Sequence, residues 1–443
     1  MNVKRDGFPL DFASSLAPYG PSNSPGVNAQ PMPLEIPEQL REEWELIHRG
    51  TAEVLPEEEL LAKLIESHEK GRPLRVKYGA DPSAPDLHLG HMVPIGKLRQ
   101  IQDLGHQIVF IIGDFTAQIG DPSGQSLTRP QLSPEQVAAN AKTYLDQIYK
   151  VLDRDRTEVV YNSSWLSQLT SRNVIELAAK YTVARMLERD DFQQRFRSER
   201  AIYIHELLYP LYQSYDSIVV RSDIEVGGTD QKFNFVVARE LQRAYGQAPQ
   251  IVLTTPLLVG LDGEKKMSKS LGNSIGITEA ARDMFGKTMS LADSVMLDYF
   301  ALVLHYDDQQ LAALHQELAD GRIHPREAKA RLAREIVTMF HDAPSAEAAA
   351  AEFDRVFRER QAPEDIETVT VRIKGKMIAI MDLLVSAGLV ESRREAKRLV
   401  LAGGVDIDGL RCDHFQTTVE PGEHILKVGK HRFRKVLVSR ERN

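Results

Sequence analysis

The chain has 443 residues, too many for one ordinary hydrophobic core, so two or three domains are expected. Its 42% hydrophobic and 27% charged content is that of a globular protein in water, and no apolar run reaches the roughly 20 residues a membrane-spanning helix needs. The net charge of −8 excludes a uniformly basic, nucleic-acid-coated surface, and a single cysteine, Cys412, excludes an intramolecular disulfide and fits a reducing cytoplasm.

Residues 1–37 are rich in Pro, Ser, Asn and Gly and read as an irregular extension without the apolar stretch of a secretory signal. Helical periodicity follows at 38–50 and 56–71. Residues 74–79 read as a strand that runs into the loop Asp81-Pro82-Ser83-Ala84-Pro85 and then a helix over 89–104. Residues 107–113 form a near-continuous apolar run, the pattern of a parallel strand buried on both faces. Helices are expected at 134–152, 174–188 and 204–215, and a strand at 223–226. Gly227-Gly228-Thr229-Asp230 opens a helix reaching 245, and 251–255 is a further strand. Strands alternating with helices predict an α/β fold, a Rossmann-like doubly wound parallel sheet over 38–260.

The pattern then changes. Residues 261–360 hold a basic loop bracketed by Gly263 and Gly272, then a mostly helical stretch. An acidic, proline-containing linker is placed at 361–370. Residues 371–443 read as a small α+β domain, with helices at 378–387 and 392–402 and short strands punctuated by Gly403-Gly404, Asp408-Gly409 and Pro421-Gly422. From residue 371 onward there are 15 Lys and Arg against 9 Asp and Glu, a net +6, which leaves −14 on the rest. A basic tail on an acidic body suggests nucleic-acid contact.

Two segments carry most of the chemistry. A strand that ends in a loop and opens a helix offers backbone N–H groups to an anion, and His88 and His91, three residues apart, share a helix face from which both can donate to phosphate oxygens. Gly90 between them leaves room for a flat ring against the backbone. Far downstream, Lys266 and Lys269 in the Gly-bracketed loop can close on the same phosphates. The chain has no HExxH and no paired Cys-x-x-Cys, so no protein-bound structural metal is expected.

Together, Asp81 to His91 and Lys266-Met267-Ser268-Lys269-Ser270 resemble the HIGH and KMSKS signatures of class I aminoacyl-tRNA synthetases. Gly120-Asp121-Pro122-Ser123-Gly124, the Tyr209-x3-Gln213-x2-Asp216 pattern and Gly227-Gly228-Thr229-Asp230-Gln231 narrow the resemblance to bacterial-type tyrosyl-tRNA synthetases. The resemblance implies ATP, as its Mg2+ complex, near Asp81, Ser83, His88, Gly90, His91, Asp230, Lys266 and Lys269, with His88, His91, Lys266 and Lys269 as the catalytic set. It implies L-tyrosine near Asp121, Tyr209, Gln213, Asp216 and Gln231. Tyr209, Gln213 and Asp216 fall at i, i+4 and i+7 on one helix face, where they can serve the two polar ends of a tyrosine. Residues 392–405 resemble an S4-type RNA-binding domain, in which Arg393, Arg394, Lys397 and Arg398 would track the backbone of tRNA(Tyr). Such enzymes are homodimers of the cytoplasm, with no membrane partner.

The sequence departs from that pattern twice. Many tyrosyl enzymes place a tyrosine four residues before the loop aspartate as a second partner for the substrate phenol; Lys77 stands there, and Tyr78, one residue on, points to the other face of the strand. Gln125 stands where many relatives have lysine, with Arg129 a cation nearby. Three alternatives compete: a tryptophanyl enzyme, which lacks the Tyr-x3-Gln-x2-Asp face; a ligase or nucleotidyltransferase, which needs no basic tail; and a non-enzymatic RNA-binding protein, which needs neither the histidines nor the loop lysines.

Overall fold

The structure, a computed structural model, describes residues 34–122, 132–357, 367–429 and 432–440. The extension over 1–33, Gln125, Arg129 and most of the linker lie outside the described residues. Six strands, β1 (Glu53–Leu55), β2 (Arg75–Ala80), β3 (Gln107–Ile112), β4 (Thr157–Tyr161), β5 (Ile224–Gly228) and β6 (Ile251–Thr255), form a sheet of order β1-β6-β5-β2-β3-β4. All neighbours run parallel except the β1–β6 pair.

The apolar run of β3 reflects burial on both faces, and β2 beside it buries Val76, Lys77 and Tyr78. Val76, Tyr78, Ile108, Phe110 and Ile112 enter a large core, while Val109 and Ile111 turn the other way to meet Val220. The chain order reverses between β2 and β5, and open α/β sheets bind ligands outside the carboxyl ends of strands at such a switch. The β2 end carries Asp81, and the β5 end carries Asp230 and Gln231.

The helices Ala281–Met289, Pro325–Phe340 and Ala343–Phe357 supply Met284, Phe285, Leu332, Ile336 and Ala346 to the same core as the sheet. Residue 260 therefore marks a change of secondary structure, not a break in packing. The tail has its own core around Val371, Ile380, Leu383, Ala396, Val400, Leu426 and Val436. There β7 (Thr368–Ile373), β9 (Val405–Ile407), β10 (Leu410–Arg411), β12 (Gly422–Val428) and β13 (Arg432–Arg440) form a sheet of order β10-β9-β12-β13-β7, while β8 (Ile378–Ala379) pairs with β11 (Thr418–Val419).

Several sequence expectations need correction. The linker placed at 361–370 overlaps β7, which begins at Thr368 and pairs in parallel with β13. The helix expected over 174–188 is two, Ser171–Ala178 and Val183–Met186, because Thr182 accepts the Arg185 N–H and caps a fresh start. The helix expected to end at 215 continues through Ile204–Val220 and stops where Arg221 turns left-handed. In the tail, residues 378–379 pair as a strand before the helix Ile380–Ser386 begins.

Candidate active site

A cavity of about 500 Å³ opens over the β2 and β5 ends, within the size range of small-molecule sites. Asp81, Ser83, His88, Gly90, His91, Asp121, Tyr209, Gln213, Asp216, Asp230, Gln231, Lys266 and Lys269 all line it. The structure thus gathers every expected small-molecule residue, drawn from segments up to 188 positions apart, around one space.

At one end the Leu89–Asp103 helix begins with His88 as its cap. Nδ1 of His88 accepts the Gly90 N–H, and Nδ1 of His91 accepts the His88 N–H, each at 3.2 Å. An acceptor Nδ1 in a neutral imidazole places the proton on Nε2, so both rings are Nε2 donors. Burial pushes His88 down to about 2, helped by His91 and Lys269, and burial with Lys269 pushes His91 down to about 4. Both are neutral hydrogen-bond donors at physiological pH, not cations. The missing Gly90 side chain serves these rings, because a Cβ there would stand 3.0 Å from the His88 imidazole and 3.5 Å from Met267 Cβ. Gly90 itself lines the cavity, and the missing side chain keeps the His88 ring in place at its rim.

The loop lysines are brought in by pairing. Leu89 N–H donates to Ile275 O and Ile277 N–H to Leu87 O, stitching the segment after the loop to the start of the helix. Met267 N–H donates to Leu258 O, and Asn273 ties the loop by donating to Asp262 while accepting from Ser268 N–H. Lys266 Nζ rests on Asp230 at 2.9 Å, and Lys269 Nζ on the Asp86 carbonyl at 2.5 Å.

The other end is built on the Ile204–Val220 helix. Tyr209 donates to Asp81 Oδ2 at 2.8 Å, and Thr116 donates to Asp81 Oδ1 at 2.7 Å. With its proton committed to Asp81, the Tyr209 hydroxyl meets a cation only as an acceptor. Asn234 donates to Gln213 Oε1 at 2.7 Å, which fixes the amide's orientation. Asp216 is 3% exposed and accepts from Trp165 Nε1 at 2.8 Å and Asn162 Nδ2 at 3.2 Å. Burial pushes Asp216 up to about 7, opposed chiefly by the Lys77 charge. Gln231 Oε1 accepts the Gly228 N–H at 3.1 Å. Asn162, Trp165 and Thr116 escaped the sequence reading, since no motif spacing links them to the residues they hold.

In the tail, the helix Arg393–Leu401 starts at Ser392, whose hydroxyl accepts the Glu395 N–H. Its buried side, Ala396 and Val400, faces the small core, and Arg393, Arg394, Lys397 and Arg398 are exposed. Arg393 pairs with Asp382, and Lys397 lies over the Phe415 ring at 4.4 Å.

Residues 69–358 match the family described as tRNA synthetases class I (W and Y), so the chain belongs to that class. Residues 359–433 match the tyrosine--tRNA ligase SYY-like C-terminal domain. The chain is 54% identical over 400 residues to the tyrosine--tRNA ligase of Moorella thermoacetica, covering 90% of this chain and 95% of that one. It is 51% identical over 401 residues to the tyrosine--tRNA ligase of Aquifex aeolicus, covering 90% and 98%. Among solved structures it resembles the tyrosyl-tRNA synthetase of Archaeoglobus fulgidus complexed with L-tyrosine, at 26% identity and a TM-score of 0.57, over 70% of this chain and 99% of that one. On this evidence the chain is a member of the tyrosine--tRNA ligase family.

Proposed function

We propose that this cavity joins tyrosine to ATP and passes the product to tRNA. The tyrosine carboxylate attacks the α-phosphorus of ATP, forming a C–O–P anhydride as pyrophosphate leaves. A 3′-terminal ribose hydroxyl of tRNA(Tyr) then attacks the carbonyl, and AMP leaves. The carboxylate is already ionised at neutral pH, so no general base is needed for the first step. Catalysis comes from positioning and from stabilising charge on the phosphates. That task falls to the Nε2 donors of His88 and His91 and the ammonium groups of Lys266 and Lys269, with Ser83, Gly90, Asp81 and Asp230 forming the nucleotide wall. Tyr209, Gln213, Asp121 and Gln231 take the amino-acid backbone, and Asp216 accepts the phenol.

ATP enters as its Mg2+ complex. The described residues contain no group of three or more His, Cys, Asp or Glu that could cage a metal; Mg2+ would come with the ATP phosphates and would neutralise part of their charge. Residues 371–443 dock tRNA through Arg393, Arg394, Lys397 and Arg398. Five of the exposed large apolar residues, Ile175, Val183, Phe196, Tyr203 and Ile204, fall within one short stretch between β4 and β5. We assign that segment to a homodimer contact. No helix among the described residues is long and apolar enough to cross a membrane. The cytoplasm, where tRNA is charged, is the proposed location.

The observation that carries this reading is the meeting of four phosphate-directed donors and a Tyr-Gln-Asp helix face in one cavity. ATP–pyrophosphate exchange with each of the twenty amino acids tests it. Tyrosine alone should support rapid exchange; exchange with tryptophan, or with none, would overturn it.

A further inference from the structure

Beneath the tyrosine end of the cavity lies a charged pair that the reaction scheme does not use. Lys77 on β2 and Glu225 on β5 are register partners in adjacent parallel strands and are 0% and 1% exposed. Lys77 Nζ lies 2.8 Å from Glu225 Oε1 and donates to the Gln213 carbonyl at 3.0 Å and to Ser217 Oγ at 2.7 Å. All three ammonium donors are thus committed. Glu225 also accepts from Ser217, from Gln250 and, at 3.4 Å, from Gln213 Nε2. The pair grips the Gln213–Ser217 turn of the helix from below, and that turn carries Gln213 and Asp216 into the cavity.

A buried ion pair is weak evidence for stability, because desolvation offsets its attraction, so its presence here asks for another reason. The position of Lys77 supplies one: it is the place where the sequence departs from a direct phenol partner, and its side chain reaches the helix instead of the cavity. We propose that Lys77 is a specificity-determining positioning residue, which holds the Gln213–Ser217 turn so that Asp216 is presented to the tyrosine phenol. This rests on Asp216 being the phenol's acceptor. The charged groups acting on Asp216 are Lys77 from β2 and Glu225 from β5; the β4 side presents the neutral donors Asn162 and Trp165, and Thr116 stands behind Asn162. Lys77 opposes the burial that raises Asp216, and it outweighs the contrary effect of Glu225.

The test uses the full chain with Lys77→Met and Glu225→Gln together, which removes both charges, nearly conserves volume and leaves no buried charge unpaired. Exchange kinetics are measured with tyrosine and phenylalanine from pH 6.5 to 8.5, with circular dichroism as a check of folding. The expected result is a folded protein whose kcat/KM for tyrosine falls roughly tenfold or more at pH 7, mainly through KM, and recovers toward pH 8.5 as Asp216 ionises. Phenylalanine, with no phenol, should show neither the loss nor the recovery. An unchanged tyrosine-to-phenylalanine ratio and pH profile would overturn the proposal. If Asp216→Asn abolishes discrimination while the double variant keeps it, Lys77 is excluded and the Asp216 reading stands; if Asp216→Asn also keeps discrimination, the Asp216 reading itself fails. Should the double variant not fold, Lys77→Gln alone decides. Asp216 then loses the Lys77 charge, so the acid limb for tyrosine should move to higher pH with no such change for phenylalanine, and an unmoved limb contradicts the proposal.

Discussion

Replacing Lys266 by alanine separates a phosphate clamp from a surface ion pair. In the structure Lys266 sits 2.9 Å from Asp230, with side-chain exposures of 41% and 27%. A pair this wet contributes about 0.2–1 kcal/mol, so leaving it for a phosphate costs little. A charge-assisted hydrogen bond to phosphate in a partly closed site contributes about 1.5–3 kcal/mol. The difference, about 0.5–2.8 kcal/mol, predicts a drop of roughly 2- to 100-fold in the rate of adenylate formation. With tyrosine at the other end of the cavity, as proposed, its Kd should change by less than about twofold, the signature of a contact that tightens in the transition state. Stopped-flow fluorescence, titrating tyrosine and then ATP, reads both quantities. A weakened tyrosine Kd with an unchanged chemical step would refute the assignment.

Burial raises Asp216 to about 7. If the ionised form accepts the phenol, kcat/KM for tyrosine should fall toward about tenfold per pH unit below 7, with no such limb for phenylalanine. His88 and His91, pushed down to about 2 and 4, should add no limb between pH 6 and 8, which kinetics of the two substrates would check together. Arg394→Gln with Arg398→Gln should weaken tRNA binding and flatten its salt dependence by about one to two units of log–log slope while exchange stays at full rate; unchanged affinity and slope in filter binding would remove the helix from the RNA surface. Ile204→Asp on the exposed stretch, where Ile204 is 75% exposed, should convert a dimer to a monomer in sedimentation, and an unmoved sedimentation coefficient would place the contact elsewhere.

The sheet was legible wherever strands are apolar on both faces: Ile-Val-Phe-Ile-Ile in β3 and Ile251–Thr255 in β6 admit little else. The edges were not. β1 has three residues, and β4, Thr-Glu-Val-Val-Tyr, is only partly buried after a charged turn, so neither carries a clear period. The linker expected over 361–370 takes in the first residues of β7, Thr368 to Thr370, because the register partner β13 lies more than sixty residues downstream, beyond the reach of local pattern. The residues proposed to be catalytic stand out because they fall in two short strings, His88 to His91 and Lys266 to Lys269, and the structure brings both strings to one cavity. The residues that orient them were not. Trp165, Asn162 and Thr116 meet Asp216 or Asp81 through tertiary contacts that no spacing encodes. Lys77 was visible as a departure, but its partner Glu225 is fixed by strand register, which a single sequence does not reveal.

The central claim is that a buried carboxylate at position 216 reads the phenol of tyrosine. The most direct measurement is ATP–pyrophosphate exchange by Asp216→Ala with tyrosine and phenylalanine side by side. Losing a hydrogen bond to a charged acceptor, about 1.5–3 kcal/mol, should lower kcat/KM for tyrosine by roughly 10- to 100-fold and leave phenylalanine within a few-fold of the parent. Equal losses for the two substrates, or none for either, would contradict the account.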